Sequence, residues 1–293
     1  MKTYTAALQP IRKAFWHARS SRYLASHPAE RQAIKLNLPL RGTHQGERCF
    51  ILGNGPSLLD EDLTLLNGET LFSVNNLDAQ ELGAPPPRYH VISDRRFFSM
   101  GSDSVADRAM ASRLAHITSR EGVASSQPPT TFVPSSELGK LEELSGARVH
   151  DVRYFCNPYY FSDYYQISDN LSRVIPRFSS VIQHCIVVAI HLGFRQIYLL
   201  GCDTTNIVAN VQTAMEESAD SSYAYSVSPE TDQWLRNQYR KRDMERCAES
   251  YLEVLMAFRF LSSYCQSRGV ELVNCSSRTV VDSIVRARLR DLL

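Results

Sequence analysis

From Arg48 onward, short apolar runs alternate with helix-length segments, and this alternation constrains the fold more than any other feature of the chain. "RCFILG" (48–53), "TLFSVN" (70–75), "YHVISD" (89–94), "TTFVP" (130–134), "ARVHDV" (147–152), "QIYLLGCD" (196–203) and "VELVNCS" (270–276) read as strands. Runs this short and this apolar fit a parallel sheet with both faces covered by helices. Between and after them, helices are predicted over 57–66, 104–118, 136–145, 179–193, 231–268 and 279–292. The expected fold class is α/β, with a single domain over 48–293 built on a mostly parallel sheet. The segment 206–230 breaks the regularity. It is polar, Ser-rich and acidic, and reads as a lid or a disordered insert.

Charge separates a second region, residues 1–47. Up to Arg48 the chain holds nine Lys/Arg against Glu30 and Glu47, whereas the whole chain has a net charge of only +1. The near-neutral total argues against a nucleic-acid partner. Residues 5–24 predict a helix on which Leu8, Ile11, Phe15 and Tyr23 lean to one side, among Arg12, Lys13, Arg19 and Arg22. Such a helix either touches anionic lipid or packs on the domain or a partner subunit, with Trp16 available for an interface and a homo-oligomer as one outcome. Seven cysteines occur without a C-x-x-C pair, mostly inside apolar runs, which is the pattern of reduced, buried thiols and speaks against a metal site. No run of 18 apolar residues exists and Arg12, Lys13 and Arg19 interrupt any signal-peptide core. The expectation is therefore a cytoplasmic protein, peripheral on the inner face of the membrane where residues 5–24 touch lipid.

In an open parallel sheet, ligands bind beyond the carboxyl ends of the strands. Polar residues recur at those ends. They are Gly53-Asn54-Gly55 with Ser57, Asn75-Asn76, Asp94-Arg95-Arg96, Asp203, and Asn274 with Ser276, and Ser179-Ser180 open the apolar helix that points at the same rim. Gly53 and Gly55 permit a sharp turn and the close approach of a ligand. Pro56 and Ser57 suit a helix start whose free N–H groups form an anion site. Asn54 and Asn75 can hold a phosphate or a sugar hydroxyl. Asp203 reads either as an acceptor for ribose hydroxyls or as a structural turn-former. Arg95 and Arg96 read either as a two-pronged anion site or as a solvated edge. His184 and His191 read as satisfied core histidines. "RYFCNPYYFSDYYQ" (153–166) packs seven aromatics into fourteen residues, among them Tyr159 and Tyr160, and reads as a sugar-stacking acceptor surface or as a core-lining loop.

"FILGNGPSL", "LFSVNN", "SSVIQHCIVVAIHLGFRQIYLLGCD" and "VELVNCS", in that order, resemble the GNGPS-type bacterial sialyltransferases that build cell-surface lipooligosaccharide. The same pieces resemble relatives that include flagellin-glycosylation proteins and archaeal pterin pyrophosphokinase-like proteins. The resemblance implies a modified Rossmann-like fold and a metal-independent transferase, with no cofactor, acting on a CMP-activated acidic sugar as substrate. Carried over residue by residue, Asn54 meets the nucleotide phosphate and Asn75 is a second donor-site residue. Ser179 or Ser180 lies near the sugar carboxylate, and Asp203 lies near the ribose. Asp94 falls near an asparagine at the family's third strand end.

The chain also departs from the family. The family's general base is a histidine after the lid, and no histidine follows His191. The family's tyrosines after the "GID" acid are replaced by Thr204-Thr205, with Tyr223 and Tyr225 in the lid as candidate substitutes. A carboxylate then has to serve as base, and Asp94, Asp220, Glu230 and Asp232 are the candidates. The expected activity is transfer of a sialic-acid-like or other ulosonic sugar to a glycan or lipid-linked glycan acceptor in surface-polysaccharide assembly. The expected donor site comprises Gly53, Asn54, Gly55, Ser57, Asn75, Asn76, Ser179, Ser180, Asp203, Asn274 and Ser276. Arg95, Arg96, Tyr159 and Tyr160 are the expected acceptor site. The alternatives are a diphosphate-transferring enzyme of the pterin pyrophosphokinase-like type and a non-catalytic nucleotide-binding relative.

Overall fold

The computed structural model of the chain describes residues 2–99, 104–119, 127–145, 149, 151–205, 207, 208, 210, 211, 229, 230 and 243–293. Eight strands form one sheet. They are β1 (Arg48–Leu52), β2 (Thr70–Val74), β3 (Tyr89–Val91), β4 (Thr130–Pro134), β5 (Asp151–Phe155), β6 (Gln196–Leu200), β7 (Glu271–Asn274) and β8 (Val285–Arg286). Their order is β5-β4-β3-β2-β1-β6-β7-β8, and every neighbouring pair is parallel. The chain therefore builds outward from β1 to one edge, then returns to the other side of β1 through β6. That reversal makes the β1/β6 boundary the topological switch point, the place where open α/β sheets generally bind ligands. The α/β class with a Rossmann-like parallel sheet is what the alternation of strands and helices predicts.

The helices are α1 (Lys2–Ser26), α2 (Pro28–Lys35), α3 (Val105–Ser119), α4 (Lys140–Ser145), α5 (Phe161–Tyr164), α6 (Val181–Leu192) and α7 (Met244–Ser267). Eleven of the twelve residues of α6 are buried. A helix this apolar on all sides has to sit inside the fold, and its residues belong to the main core with Phe50, Phe72 and Leu199. A second core lies under α1 and α2, where Trp16 and Ile34 meet Val133 and Tyr154. The basic N-terminal segment is tied to the sheet by more than packing. Asn37 Nδ2 donates to the carbonyls of Tyr154 (2.7 Å) and Leu171 (3.1 Å), and Gly42 N–H donates to His191 O at 3.0 Å. Glu30 accepts from Tyr23 Oη at 2.7 Å and from Ser135 Oγ.

Several elements differ from expectation for identifiable reasons. The helix predicted over 57–66 is two 3-10 turns, Pro56–Asp60 and Leu63–Leu66. Asp62 caps a new start in the middle of that span by accepting from Thr64 N–H. The helix predicted over 279–292 is the edge strand β8 followed by a 3-10 turn at Leu289–Asp291. Val280, Val281, Ile284 and Val285 are β-branched and favour extended backbone. The fifth strand runs to Phe155 instead of ending at Val152, because Tyr154 and Phe155 are its buried residues. Trp16 is not available for an interface. It is 4% exposed and packs edge-on against Tyr159 and Tyr164 of its own chain. Among the described residues, no helix is long and apolar enough to cross a membrane.

Candidate functional site

The GNGPS turn is built by close packing of backbone on backbone across the switch point. Gly53 N–H donates to Leu200 O at 2.7 Å and Gly55 N–H to Gly201 O at 2.8 Å. A Cβ on Gly53 would stand 2.5 Å from Gly201 O, and one on Gly55 would stand 2.5 Å from both Gly201 O and the Asp203 carboxyl carbon. Both glycines are thus needed for space, in a turn packed against the end of β6. The same contacts bring in α6, since Ile182 Cδ1 lies 3.0 Å from the Gly53 Cβ position.

Asp203 is engaged within the fold. Its carboxylate accepts from Ser57 N–H at 2.8 Å and from Ser57 Oγ. It therefore meets the first N–H of the turn after Pro56 from within the chain. Ser57 does not cap its own turn; it is the donor that Asp203 captures. Burial raises the Asp203 carboxyl above its ordinary range, and the two Ser57 hydrogen bonds pull it back in part. Asn274 and Ser276 are likewise engaged within the fold. Asn274 Nδ2 donates to Thr279 Oγ1 at 3.0 Å, and Ser276 Oγ accepts from Cys202 N–H at 2.7 Å. These bonds join the ends of β6 and β7.

The polar groups left over gather on the β1–β4 side. Asn54 Oδ1 is buried and has no hydrogen-bond partner among the described residues, and Asn76 Nδ2 is in the same condition. Asn75 takes a left-handed backbone (φ 49°). Its Oδ1 accepts from Ser93 N–H at 3.3 Å and its carbonyl meets His90 Nε2 at 2.7 Å, so it locks the ends of β2 and β3 together. Asp94 accepts from Arg96 N–H at 3.0 Å and is clamped by the Arg96 guanidinium on both oxygens. To act as a base it has to release Arg96 first. Arg95 faces Glu137 at a long 3.8 Å, and Glu137 is already held by Lys140 Nζ at 2.7 Å.

Arg177 is the residue that sequence reasoning missed. Its guanidinium stacks on Tyr160, 4.6 Å from the ring centre. Its side chain makes no hydrogen bond or ion pair among the described residues. Burial lowers its pKa, and repulsion from Arg95 lowers it further, against weaker opposing effects of Tyr160, Asp94 and Glu137. It lies four residues before α6, whose N-cap Ser180 makes no capping hydrogen bond. A half-buried cation short of counter-charge, beside a second arginine and an uncapped helix start, is an arrangement that an anion relieves.

The remaining candidates divide. Ser179 Oγ donates to Glu253 of α7 at 3.3 Å. Tyr159 is committed to α1, touching Trp16, Tyr23 and the Arg19 guanidinium, so it is not an acceptor surface. Tyr160 is exposed at the rim under Arg177. Tyr154, Phe155, Phe161 and Tyr164 are buried, so most of the aromatic stretch lines the core. His184 and His191 are buried and partnered, as predicted. His184 Nε2 accepts from Asn157 Nδ2 (3.1 Å) and Phe178 N–H (3.4 Å), which puts the proton on Nδ1, facing Ser180 O. Burial pushes its pKa down to about 3. Tyr223, Tyr225, Asp220 and Asp232 lie outside the described residues, as does most of 206–230. Among the described residues, no group of three or more His, Cys, Asp or Glu is placed to hold a metal ion. Comparison with protein-family models, with curated proteins and with solved structures returns no significant match.

Proposed function

We propose that the chain is a glycosyltransferase that moves an acidic, sialic-acid-like or other ulosonic sugar from a CMP-activated donor to a glycan acceptor. The observation that carries this reading is Arg177, a half-buried guanidinium with no counter-ion of its own, beside Arg95 and the start of α6. A CMP-activated ulosonic acid presents two anions close together, a phosphate and a carboxylate. Arg177 and Arg95 supply the positive charge for one, and the free N–H groups at the start of α6 suit the other. The orphaned Asn54 Oδ1 needs a donor, and a nucleoside hydroxyl or amino group provides one.

As the bond to phosphate breaks, the sugar becomes oxocarbenium-like and the departing phosphate gains charge. An arginine fixed over Tyr160 stabilises that charge without moving, which is the condition under which such groups lower a barrier most. The exposed Tyr160 ring leaves an apolar face at the rim for a sugar of the acceptor. The test is donor hydrolysis across a panel of CMP-sugars. The reading expects turnover of at least one CMP-ulosonic acid without added metal, falling roughly a hundredfold in Arg177→Ala. Hydrolysis of none of them, or equal rates in the variant, overturns it.

A further inference from the structure

Helix α1 carries two stripes, and only one of them is used by the fold. Trp16 and Ser20 are buried and Tyr23 is half-buried against the domain. On an adjoining, outward face Leu8, Ile11 and Phe15 follow one another at helical spacing and are 44%, 54% and 66% exposed. Tyr23 sits at the edge between the two stripes, half-buried, and lines one groove with Phe15. The apolar stripe is not what holds the helix to the protein.

The charge around that stripe is of one sign. Residues 1–29 contain Lys2, Arg12, Lys13, Arg19 and Arg22 and not one acidic residue. Arg19 and Arg12 are braced along the sides of the helix, 4.6 Å over the Tyr159 ring and 4.8 Å over the Tyr165 ring. Arg19 also donates to Tyr164 Oη at 2.9 Å. Beside Phe15, a groove of about 490 Å³ opens between Tyr23 and Tyr159, with Arg19 and Arg22 on its wall. Exposed apolar residues on an outer face flanked by cations are the features with which a helix lies in a membrane interface.

We propose that the outer face of α1 docks on an anionic lipid bilayer, with Leu8, Ile11 and Phe15 entering the acyl boundary and Arg19 and Arg22 meeting lipid phosphates. Charge decides the occupant. A second copy pairing through the same face would set two acid-free cationic helices against each other, whereas an anionic bilayer complements them. The position has a consequence for the rim, because Tyr159 under α1 is the chain neighbour of Tyr160, which stacks on Arg177. Docking would hold that rim beside the lipid surface. The inference does not depend on the transferase reading.

The test is co-sedimentation of the full chain with phosphatidylcholine vesicles, with and without phosphatidylglycerol. We expect binding only to the anionic vesicles, weakening as salt rises. The Ile11→Ser/Phe15→Ser double variant should lose at least tenfold in affinity, and Arg22→Glu should also bind more weakly. Both should keep the wild-type circular dichroism and unfolding midpoint, because these side chains face solvent. No binding to anionic vesicles, equal binding by the double variant, or equal binding to neutral vesicles overturns the proposal. So does a wild-type dimer that the double variant converts to a monomer, since a second copy would then cover the face. Each of these results can be read alongside CMP binding by the same preparation, so failure here is distinguishable from failure of the transferase reading.

Discussion

Replacing Gly55 by alanine tests whether the turn at the switch point is packed as described. Gly55 has an ordinary φ of −68°, so alanine adds no backbone strain and its whole effect is steric. The new Cβ would stand 2.5 Å from Gly201 O, which is backbone and cannot swing away, and 2.7 Å from Asp203 Oδ1. Overpacking of this kind costs about 1–3 kcal/mol. If Asp203 moves off Ser57 to make room, a buried N–H and a buried carboxylate lose their partners, at about 1–3 kcal/mol more. The expected loss is therefore about 2–6 kcal/mol, read from urea unfolding followed by far-ultraviolet circular dichroism. Gly46 is the control. Its φ is +85° with nothing within 4 Å of a Cβ, so alanine there meets only the left-handed backbone penalty of about 1–2 kcal/mol. If Gly55→Ala unfolds at the wild-type midpoint, or is milder than Gly46→Ala, the turn is not packed against Gly201 and Asp203.

Asp203→Asn keeps an acceptor for Ser57 N–H and removes a charge that burial disfavours, so it should stay within about 1 kcal/mol of wild type; Asp203→Ala should lose about 1–3 kcal/mol. Equal losses in the two variants would show that the hydrogen bonds to Ser57 are not what matters there. The His184 pKa is depressed in the folded chain from 6.5 to about 3, so unfolding takes up a proton in that window. Its contribution is present above pH 6.5 and is lost as pH falls toward 3, at up to about 1.4 kcal/mol per pH unit. His184→Gln should flatten the pH dependence of the unfolding midpoint over that range, and an unchanged slope would count against a buried neutral imidazole.

The sheet was legible because its strands are short, apolar and separated by helix-length segments, and "TTFVP" matches β4 residue for residue. The terminal segment misled because its hydrophobic spacing suits a helix, while β-branched residues and a free sheet edge at β7 favour a strand. The strand ends line one edge of the parallel sheet, but residue type alone does not say whether a polar side chain there serves a ligand or the fold. Asp203, Asn274 and Ser276 are the types a nucleotide site uses, and each is consumed by a neighbouring strand end. Conversely, Arg177 is not legible in the sequence because a lone arginine carries no pattern. Its significance rests on what surrounds it, namely burial, a second arginine and the absence of a carboxylate close enough to pair. Tyr159 and Tyr160 are adjacent in sequence, yet one braces α1 and the other lies at the rim.

Titration calorimetry with CMP in the absence of divalent metal, on the wild type and on Asn54→Ala and Arg177→Ala, tests the donor site most directly. The account predicts metal-independent CMP binding by the wild type, weakened about tenfold or more in each variant, since each removes a partner that a buried or charged ligand group depends on. CMP binding untouched by Asn54→Ala, binding of ATP only with magnesium, or no nucleotide binding at all would contradict it.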